Sequence, residues 1–541
     1  MATLKKILVA NRGEIALRVM RTCHELGIAT VAVYSDADRT APHVLFADES
    51  VRIGAAESSS SYLSIEKIIE AAQKIGADAI HPGYGFLSEN AFFSEACREN
   101  GIVFIGPSPT SIRLMGDKTA ARDLMSDAGV PCPPGTKNPI TSVDDALEFA
   151  LTIGFPVLIK AAAGGGGKGM RIVHQESDFV KSVKAAKSEA MSAFGDDRVF
   201  VEKYLEEPRH IEFQIMADQH GSVVHFFERE CSIQRRHQKV IEEAPCSVMS
   251  AKLRKAMADA AIAAARACDY EGAGTIEFLI DRDQNFYFLE MNTRLQVEHP
   301  VTEEITGVDL VALQILVAEG KKLPMTQDQI RINGHAIECR IYAEDAEGGF
   351  LPSTGVLDVH RPPSGPGIRV DSGVDEGQEV SIYYDPMISK LTVFAPDRDR
   401  AMERMRRALK EYRISGCKTT IPFCSFTMRH PAFRSGKYDT HFVQDYYTHR
   451  VDDDAGTIRE EALVSALLHR DGEAAPFLRT EAAAGHARLR AGNAAELSSS
   501  HGDNDQGGTS PSKHHDMQTM GMSYTRTSNR NLSGGWWRQR K

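Results

Sequence analysis

Two glutamates sit where an ionised side chain is expensive. Glu277 lies inside the apolar run TIEFLI and Glu290 inside YFLEMN; a charge in such a strand must be paired or metal-bound. The two runs flank Arg282-Asp283-Gln284 and read as a hairpin, which sets the carboxylates on adjacent strands. Side chains alternate along a strand, so Glu290 and Asn292 share a face. Two carboxylates and an amide oxygen form a hard-oxygen site suited to magnesium or manganese bridging nucleotide phosphates. Directly downstream, Arg294 offers a cationic fork for an oxyanion and Glu298 a carboxylate able to take a proton. All but Glu277 fall within EMNTRLQVEHP, Glu290 to Pro300, and together they point to nucleotide- and metal-dependent activation of a small anion.

Two other segments bear on phosphate chemistry. AAAGGGGKGM contains a formal G-x-G-x-x-G and superficially suggests a P-loop, but Gly169 follows Lys168 where Ser or Thr would be needed. Both motifs also require a helix next, and MRIV is strand-like. What remains is a glycine hairpin whose bare backbone can lie on phosphate oxygens, with Lys160 of PVLIK aimed at the same place. The run Cys231 to Lys239, CSIQRRHQK, is dense in donors and is followed at once by the acidic VIEEAP; a solvated basic face and a binding cluster stand equally open for it.

These residues need scaffolds. KKILVA, IATVAVYS, ADAIHPG and IVFIGPS read as strands separated by helical segments, the first being Glu14 to Leu26 stopped by Gly27. That alternation predicts a parallel, Rossmann-like sheet, yet its first turn, Asn11-Arg12-Gly13-Glu14, lacks the dinucleotide fingerprint. A helix over Asp117 to Ala128 ends at the proline-rich VPCPPG; strand-dominated sequence follows, then an alanine-rich helix over Leu253 to Asp269. From Gly334 to about Val443 the chain reads as β-rich with one helix, Arg398 to Leu409. Thr457 to Glu460 is a capping box opening a short helix, and beyond Asn493 the composition is too polar to bury a core.

Bulk properties bound the rest. A chain of 541 residues exceeds one core. With 63 basic and 74 acidic side chains, net charge −11, a chain-wide nucleic-acid surface is not expected. No run of about 18 apolar residues is present, so no membrane span is expected, and the N-terminus lacks the features of a signal peptide. Nine scattered cysteines without a C-x-x-C pair fit reduced thiols in the cytoplasm.

The motifs ILVANRGEIALR, HPGYGFLSEN, IRLMGDK, GGGGKGMRIV, EKYLEEPRHIE, ERECSIQRRHQKVIEEAP, GAGTIEFL, EMNTRLQVEHPVTE, GHAIECRIYAED and YYDPMISKL, in this order, closely resemble biotin carboxylase, the ATP-grasp component of biotin-dependent acyl-CoA, pyruvate and related carboxylases. The resemblance runs from about Leu4 to Val443. It departs at Ala162 and Ala163, where serine and glycine often open the loop, and at Lys168, where arginine is common. It implies an α/β (α+β) multidomain fold: a Rossmann-like N-terminal domain over 1–116, an ATP-grasp domain over 117–328 with a mobile glycine-rich lid at about 135–205, and a β-rich C-terminal domain over 334–446. A helical extension over 447–492 and a disordered tail over 493–541 would follow, the tail ending in Trp536 and Trp537.

The resemblance also implies roles. Lys118, Lys160, His210 and His237 contact phosphates and nucleotide; Glu202, Lys203, Tyr204 and Leu205 form the adenine-binding strand; Gly166 and Gly167 lie in the lid. Glu277, Glu290 and Asn292 bind metal, and Lys239, Arg294 and the backbone at Gln296 and Val297 form the bicarbonate pocket. Gln234 belongs to that pocket. Glu298 is the general base, Arg340 steadies the biotin ring and transferred phosphate, and Arg294 stabilises the enolate-like biotin anion. The implied reaction uses ATP, Mg2+ or Mn2+ and bicarbonate to carboxylate biotin by way of carboxyphosphate, the first half-reaction of an acetyl-CoA, propionyl-CoA or pyruvate carboxylase such as that of fatty acid biosynthesis. A different ATP-grasp ligase would lack RRHQK paired with Arg340, and a regulatory homologue would lack a lysine, a metal carboxylate or Glu298. No A-M-K-M-like biotinylation site is present, so a separate biotin carboxyl carrier protein is expected, together with a carboxyltransferase subunit, and this chain is expected to form a homodimer.

Overall fold

The computed structural model describes residues 3–136, 138–161 and 170–447. The glycine loop with Gly166 and Gly167, the 447–492 extension beyond its first residue, and the tail with Trp536 and Trp537 lie outside the described residues.

Strands β1 (Lys6–Val9), β2 (Ala29–Ser35), β3 (Glu49–Gly54), β4 (Ala79–His81) and β5 (Val103–Phe104) form a parallel sheet in the order β3-β2-β1-β4-β5. Three of the four β1 side chains are buried, as expected where helices cover both faces. Helix α1 (Gly13–Glu25) starts on the heels of β1 and ends before Gly27, whose φ of 73° requires glycine. The Rossmann-like expectation therefore holds, with β3 added at the edge.

A three-stranded antiparallel sheet follows, β7-β6-β8, from β6 (Val157–Ala161), β7 (Arg171–Val173) and β8 (Val199–Lys203). The large sheet is antiparallel and has eight strands. In spatial order these are β13 (Phe286–Asn292), β12 (Gly272–Ile280), β9 (Arg209–Ala217), β10 (Val223–Arg235), β11 (Gln238–Ala244), β14 (His335–Tyr342), then the strands Met387–Ala395 and Ile368–Ser372. The sheet thus passes without a break from the middle region into the C-terminal region, joined where β11 pairs with β14.

Alternation sorts the two faces of this sheet. On one face, Ile211, Phe213 and Ile215 pack with Met257, Ala261 and Ala264 of the alanine-rich helix Ala251–Ala267. Ile337, Cys339 and Ile341 pack with Met402, Met405 and Leu409 of the helix Arg398–Glu411. The opposite face of this sheet carries Glu212, Glu242, Arg340 and Lys390. The C-terminal region holds more helix than the single one expected: Ile421–Thr427, Pro431–Ser435 and Phe442–Tyr446 are also helical. Each spans five to seven residues, about two turns or fewer, too short to print a periodic pattern. Among the described residues no helix is long and apolar enough to cross a membrane.

Candidate active site

The register of three strands builds the site. Glu212 of β9 lies opposite Glu277 of β12, and Glu277 lies opposite Glu290 of β13. The hairpin turn holds this register through Asp281, whose carboxylate accepts from the amides of Asp283 and Asn285. Three like charges in a row repel one another, so cations gather on them. Lys239 Nζ donates to Glu277 Oε1 at 2.7 Å, to Glu298 Oε1 at 2.7 Å, and to Glu212. His210 Nε2 lies 3.0 Å from Glu277 Oε2, while Gln234 Nε2 sits 2.9 Å from His210 Nδ1.

Charge state divides the row. Burial acts to raise Glu277, but Lys239 and His210 outweigh it and hold its carboxyl well below the usual range. Glu290 moves the other way, raised by burial and by the negative charge of Glu277; its ion pair with Lys118 is loose at 3.7 Å. An acidic pair with a surplus of negative charge and oxygen donors fits a divalent cation. Asn292 now turns its Nδ2 to Glu277 Oε1 at 2.9 Å, and a half-turn of that amide would present its oxygen to the same place.

Glu298 is fully buried beneath the row. Its Oε2 accepts from Arg340 at 2.9 Å, and Arg340 Nε donates to Glu242 at 2.6 Å. Burial acts to raise the Glu298 carboxyl; the charges of Lys239, Arg340 and Arg229 overcome it and keep the group ionised. Arg229 has no exposed surface and spends its donors on Glu212, Gln214, Thr302 and Thr275. The segment between Glu290 and Glu298 is also pinned. Glu89, from the segment after β4, accepts from the Thr293 amide at 2.9 Å and from Arg294 Nε at 2.8 Å. Arg294 further reaches Asn292 Oδ1 at 3.0 Å and Gln296 Oε1 at 3.2 Å, and Val297 gives its carbonyl to Lys390 at 2.9 Å.

All of this opens into one cleft of about 1420 Å³. Its walls include Lys118, Lys160, Glu202, Lys203, Tyr204 and Leu205 on one side and His210, Gln234, His237 and Lys239 on the other. Glu277, Glu290, Asn292, Arg294, Gln296, Val297 and Arg340 line it as well, so every described residue singled out from the sequence reaches the cleft except Glu298, which lies just below it. Lys160 is paired with Glu202, and Arg122 with the same carboxylate. Lys203 points its ammonium to the Gly154 and Phe155 carbonyls at 3.0 and 3.3 Å, and its amide donates to the Pro134 carbonyl at 2.8 Å. His237 sits exposed at the β10–β11 turn with φ of 67°.

Sequence reading missed Glu212, Arg229, Glu242, Lys390 and Glu89. The first four carry the signal that exposed Glu277, a charge inside an apolar strand, in HIEFQI, FFERE, VIEEA and MISKL. Glu89 sits in polar loop sequence and carries none.

Comparison with known proteins agrees with this geometry. Residues 3–112 match the family model "Biotin carboxylase, N-terminal domain", 117–326 match "Carbamoyl-phosphate synthase L chain, ATP binding domain", and 338–445 match "Biotin carboxylase C-terminal domain". The chain is 55% identical over 440 residues to a biotin carboxylase of Nostoc sp., covering 81% of this chain and 98% of that protein. It is 56% identical over 441 residues to a pyruvate carboxylase subunit of Methanothermobacter thermautotrophicus, covering 82% and 90%. Among solved structures, the dimeric biotin carboxylase domain of Hydrogenobacter thermophilus 2-oxoglutarate carboxylase, in complex with MgADP, ADP and bicarbonate, is 48% identical with a TM-score of 0.77, covering 84% and 99%. A chain with this cleft, matched by these families over most of its length, belongs to the biotin carboxylases, ATP-dependent ligases that carboxylate biotin.

Proposed function

We propose that the cleft transfers bicarbonate carbon to biotin in two steps, with Glu298 as the base that starts the first. Bicarbonate is a poor nucleophile, and its carbon is a poor electrophile. Glu298, ionised yet buried between Lys239 and Arg340, is the observation that carries this reading: it stands ready to accept the bicarbonate proton. As that proton leaves, a bicarbonate oxygen attacks the γ-phosphorus of ATP, the bond to the β-phosphate breaks, and carboxyphosphate and ADP form. Arg294, Lys239 and the backbone at Gln296 and Val297 hold the anion. Lys118 and Lys160 offset charge on the transferring phosphoryl group, Lys160 leaving Glu202 to do so. Magnesium or manganese, held by Glu277, Glu290 and Asn292, supplies charge neutralisation and alignment of the phosphates when bound.

In the second step carboxyphosphate releases carbon dioxide and phosphate inside the closed cleft. The phosphate takes the N1′ proton of biotin, Arg294 stabilises the ureido anion, Arg340 steadies ring and phosphate, and the nitrogen attacks carbon dioxide. Biotin arrives on a separate carrier protein, and a carboxyltransferase subunit passes the carboxyl group to an acyl-CoA or pyruvate-type acceptor. The bicarbonate and nucleotide of the Hydrogenobacter domain, and its dimeric form, support the substrates and a homodimer here. The domain limits 1–116, 117–328 and 334–446 go with this reading, and the nine unpaired cysteines support a reducing, cytoplasmic setting.

Glu298→Gln tests the base. Bicarbonate- and biotin-dependent ADP release is expected to fall by about 10²-fold or more, with ATP binding by calorimetry largely retained. Near-normal turnover in that variant removes Glu298 from the role.

A further inference from the structure

Lys390 has no exposed side-chain surface, and none of the steps above uses it. A lysine ammonium in such a place must be held on strong acceptors. Its Nζ donates to the Val297 carbonyl at 2.9 Å and lies 3.2 Å from Glu14 Oε2, with the Tyr84 ring centroid 5.9 Å away. Tyr84 in turn donates its hydroxyl to Glu14 Oε1. Glu14 stands in the first turn of α1, and Gly373 lies against that turn so closely that a Cβ there would meet the Glu14 amide nitrogen at 2.6 Å. The ammonium is therefore set by three separate parts of the chain: its own strand, the N-terminal helix, and the segment after β4.

The sheet register says what this contact is for. Lys390 is the direct cross-strand neighbour of Arg340, so the two cations rise side by side from one face. Arg340 grips the side chain of Glu298, and Lys390 grips the backbone of the residue before it. The Val297 carbonyl belongs to the same peptide plane as the Glu298 amide, and that plane is rigid. Fixing the carbonyl fixes the direction in which the chain enters Glu298, and with it the backbone at Gln296 and Val297.

We propose that Lys390, supported by Glu14 and Tyr84, is a positioning residue for the carboxylation reaction: it clamps the Val297 carbonyl and so sets the bicarbonate pocket's backbone against the base. This rests on the reading of Gln296, Val297 and Glu298 given above. Lys390 touches no substrate atom; it acts through the peptide it holds. Moving the backbone groups that hold the anion weakens its binding and so raises its KM, whereas the nucleotide is bound by residues on other strands and should not notice.

The experiment is steady-state ADP release by the full chain with free biotin, varying bicarbonate and ATP in turn, for the wild type, Lys390→Met and Glu14→Gln. Lys390→Met is expected to raise the bicarbonate KM about tenfold or more, with the ATP KM within about twofold of wild type. Glu14→Gln, which keeps the size of the support but replaces with an amide nitrogen one of the carboxyl oxygens that face Lys390 and Tyr84, is expected to raise the bicarbonate KM about threefold, again without a change for ATP. If Lys390→Met does not fold, as judged by far-UV circular dichroism, Glu14→Gln decides alone. Bicarbonate and ATP constants that rise together, or neither changing, overturn the proposal. A wild type with no bicarbonate-dependent ADP release overturns the underlying reading instead, so the two failures are distinct.

Discussion

Arg340 divides two kinds of glutamate. On its cleft side Glu298 is held ionised, while on its far side Glu242 is raised to about 8 and Glu338 to about 7, burial being the largest cause for each. Glu242 and Glu338 are cross-strand partners, so the negative charge of Glu338 adds to burial in opposing ionisation of Glu242, and at neutral pH the pair keeps a proton. The consequence for stability has a definite sign. The unfolded chain releases this proton near the ordinary carboxylate pKa and the folded chain holds it, so the contribution is full below that pKa and is lost as pH rises towards about 8. Within that window one retained proton gives a slope of at most about 1.4 kcal/mol per pH unit. Glu242→Gln is expected to abolish this slope, so that its stability relative to wild type improves from about pH 5 to about pH 8 and then levels off. Urea unfolding followed by far-UV circular dichroism at several pH values measures it; a parallel decline in both proteins would show that Glu242 carries no retained proton.

Elements decide which of these residues meet, and their legibility differed for physical reasons. The helix Lys118–Asp127 shows how an end signal can carry function. Asp117 is its cap, accepting from the amides of Thr119 and Ala120, and Lys118 is thereby placed as its first residue at the cleft wall. Asp117→Ala is expected to lower the opening free energy of this helix by about 1 kcal/mol, read by hydrogen exchange of its amides, and to raise the ATP KM; unchanged exchange would mean that packing alone holds the helix. The β12–β13 hairpin was readable because its turn and its alternating apolar residues agree, so Glu277 and Glu290 could be paired from sequence alone. Glu212 could not be added to them, because its strand ends at Ala217 and β12 begins only at Gly272, with a helix between, and nothing local states that pairing. The short helices after Ile421 were silent for want of length. Glu89 reaches Arg294 from the N-terminal region, a contact that only the assembled fold defines.

At the scale of the whole molecule, three sequence regions meet at one cleft and the charged cluster beneath it. Glu14 and Glu89 come from the first, Glu277, Glu290 and Glu298 from the second, and Arg340 and Lys390 from the third. Composition and strand–helix alternation indicated several regions and their classes, since each region's pattern is local. They could not indicate that the second and third share a sheet, because a sheet pairing between β11 and β14 leaves the same alternation whichever partner a strand takes.

That shared sheet has a consequence for solubility. Remove everything after Arg331, and the residues Gln238–Ala244 lose the neighbour that now occupies their outer flank. The exposed row of main-chain donors and acceptors would offer a template for a second copy, the situation from which fibrils and amorphous precipitates grow. A fragment holding residues 1–331 is therefore expected to self-associate, seen as light scattering that rises with concentration, whereas a fragment holding residues 1–447 should stay dispersed. In this protein the strand His335–Tyr342 acts twice, bringing Arg340 to Glu298 from one face and covering the flank of Gln238–Ala244.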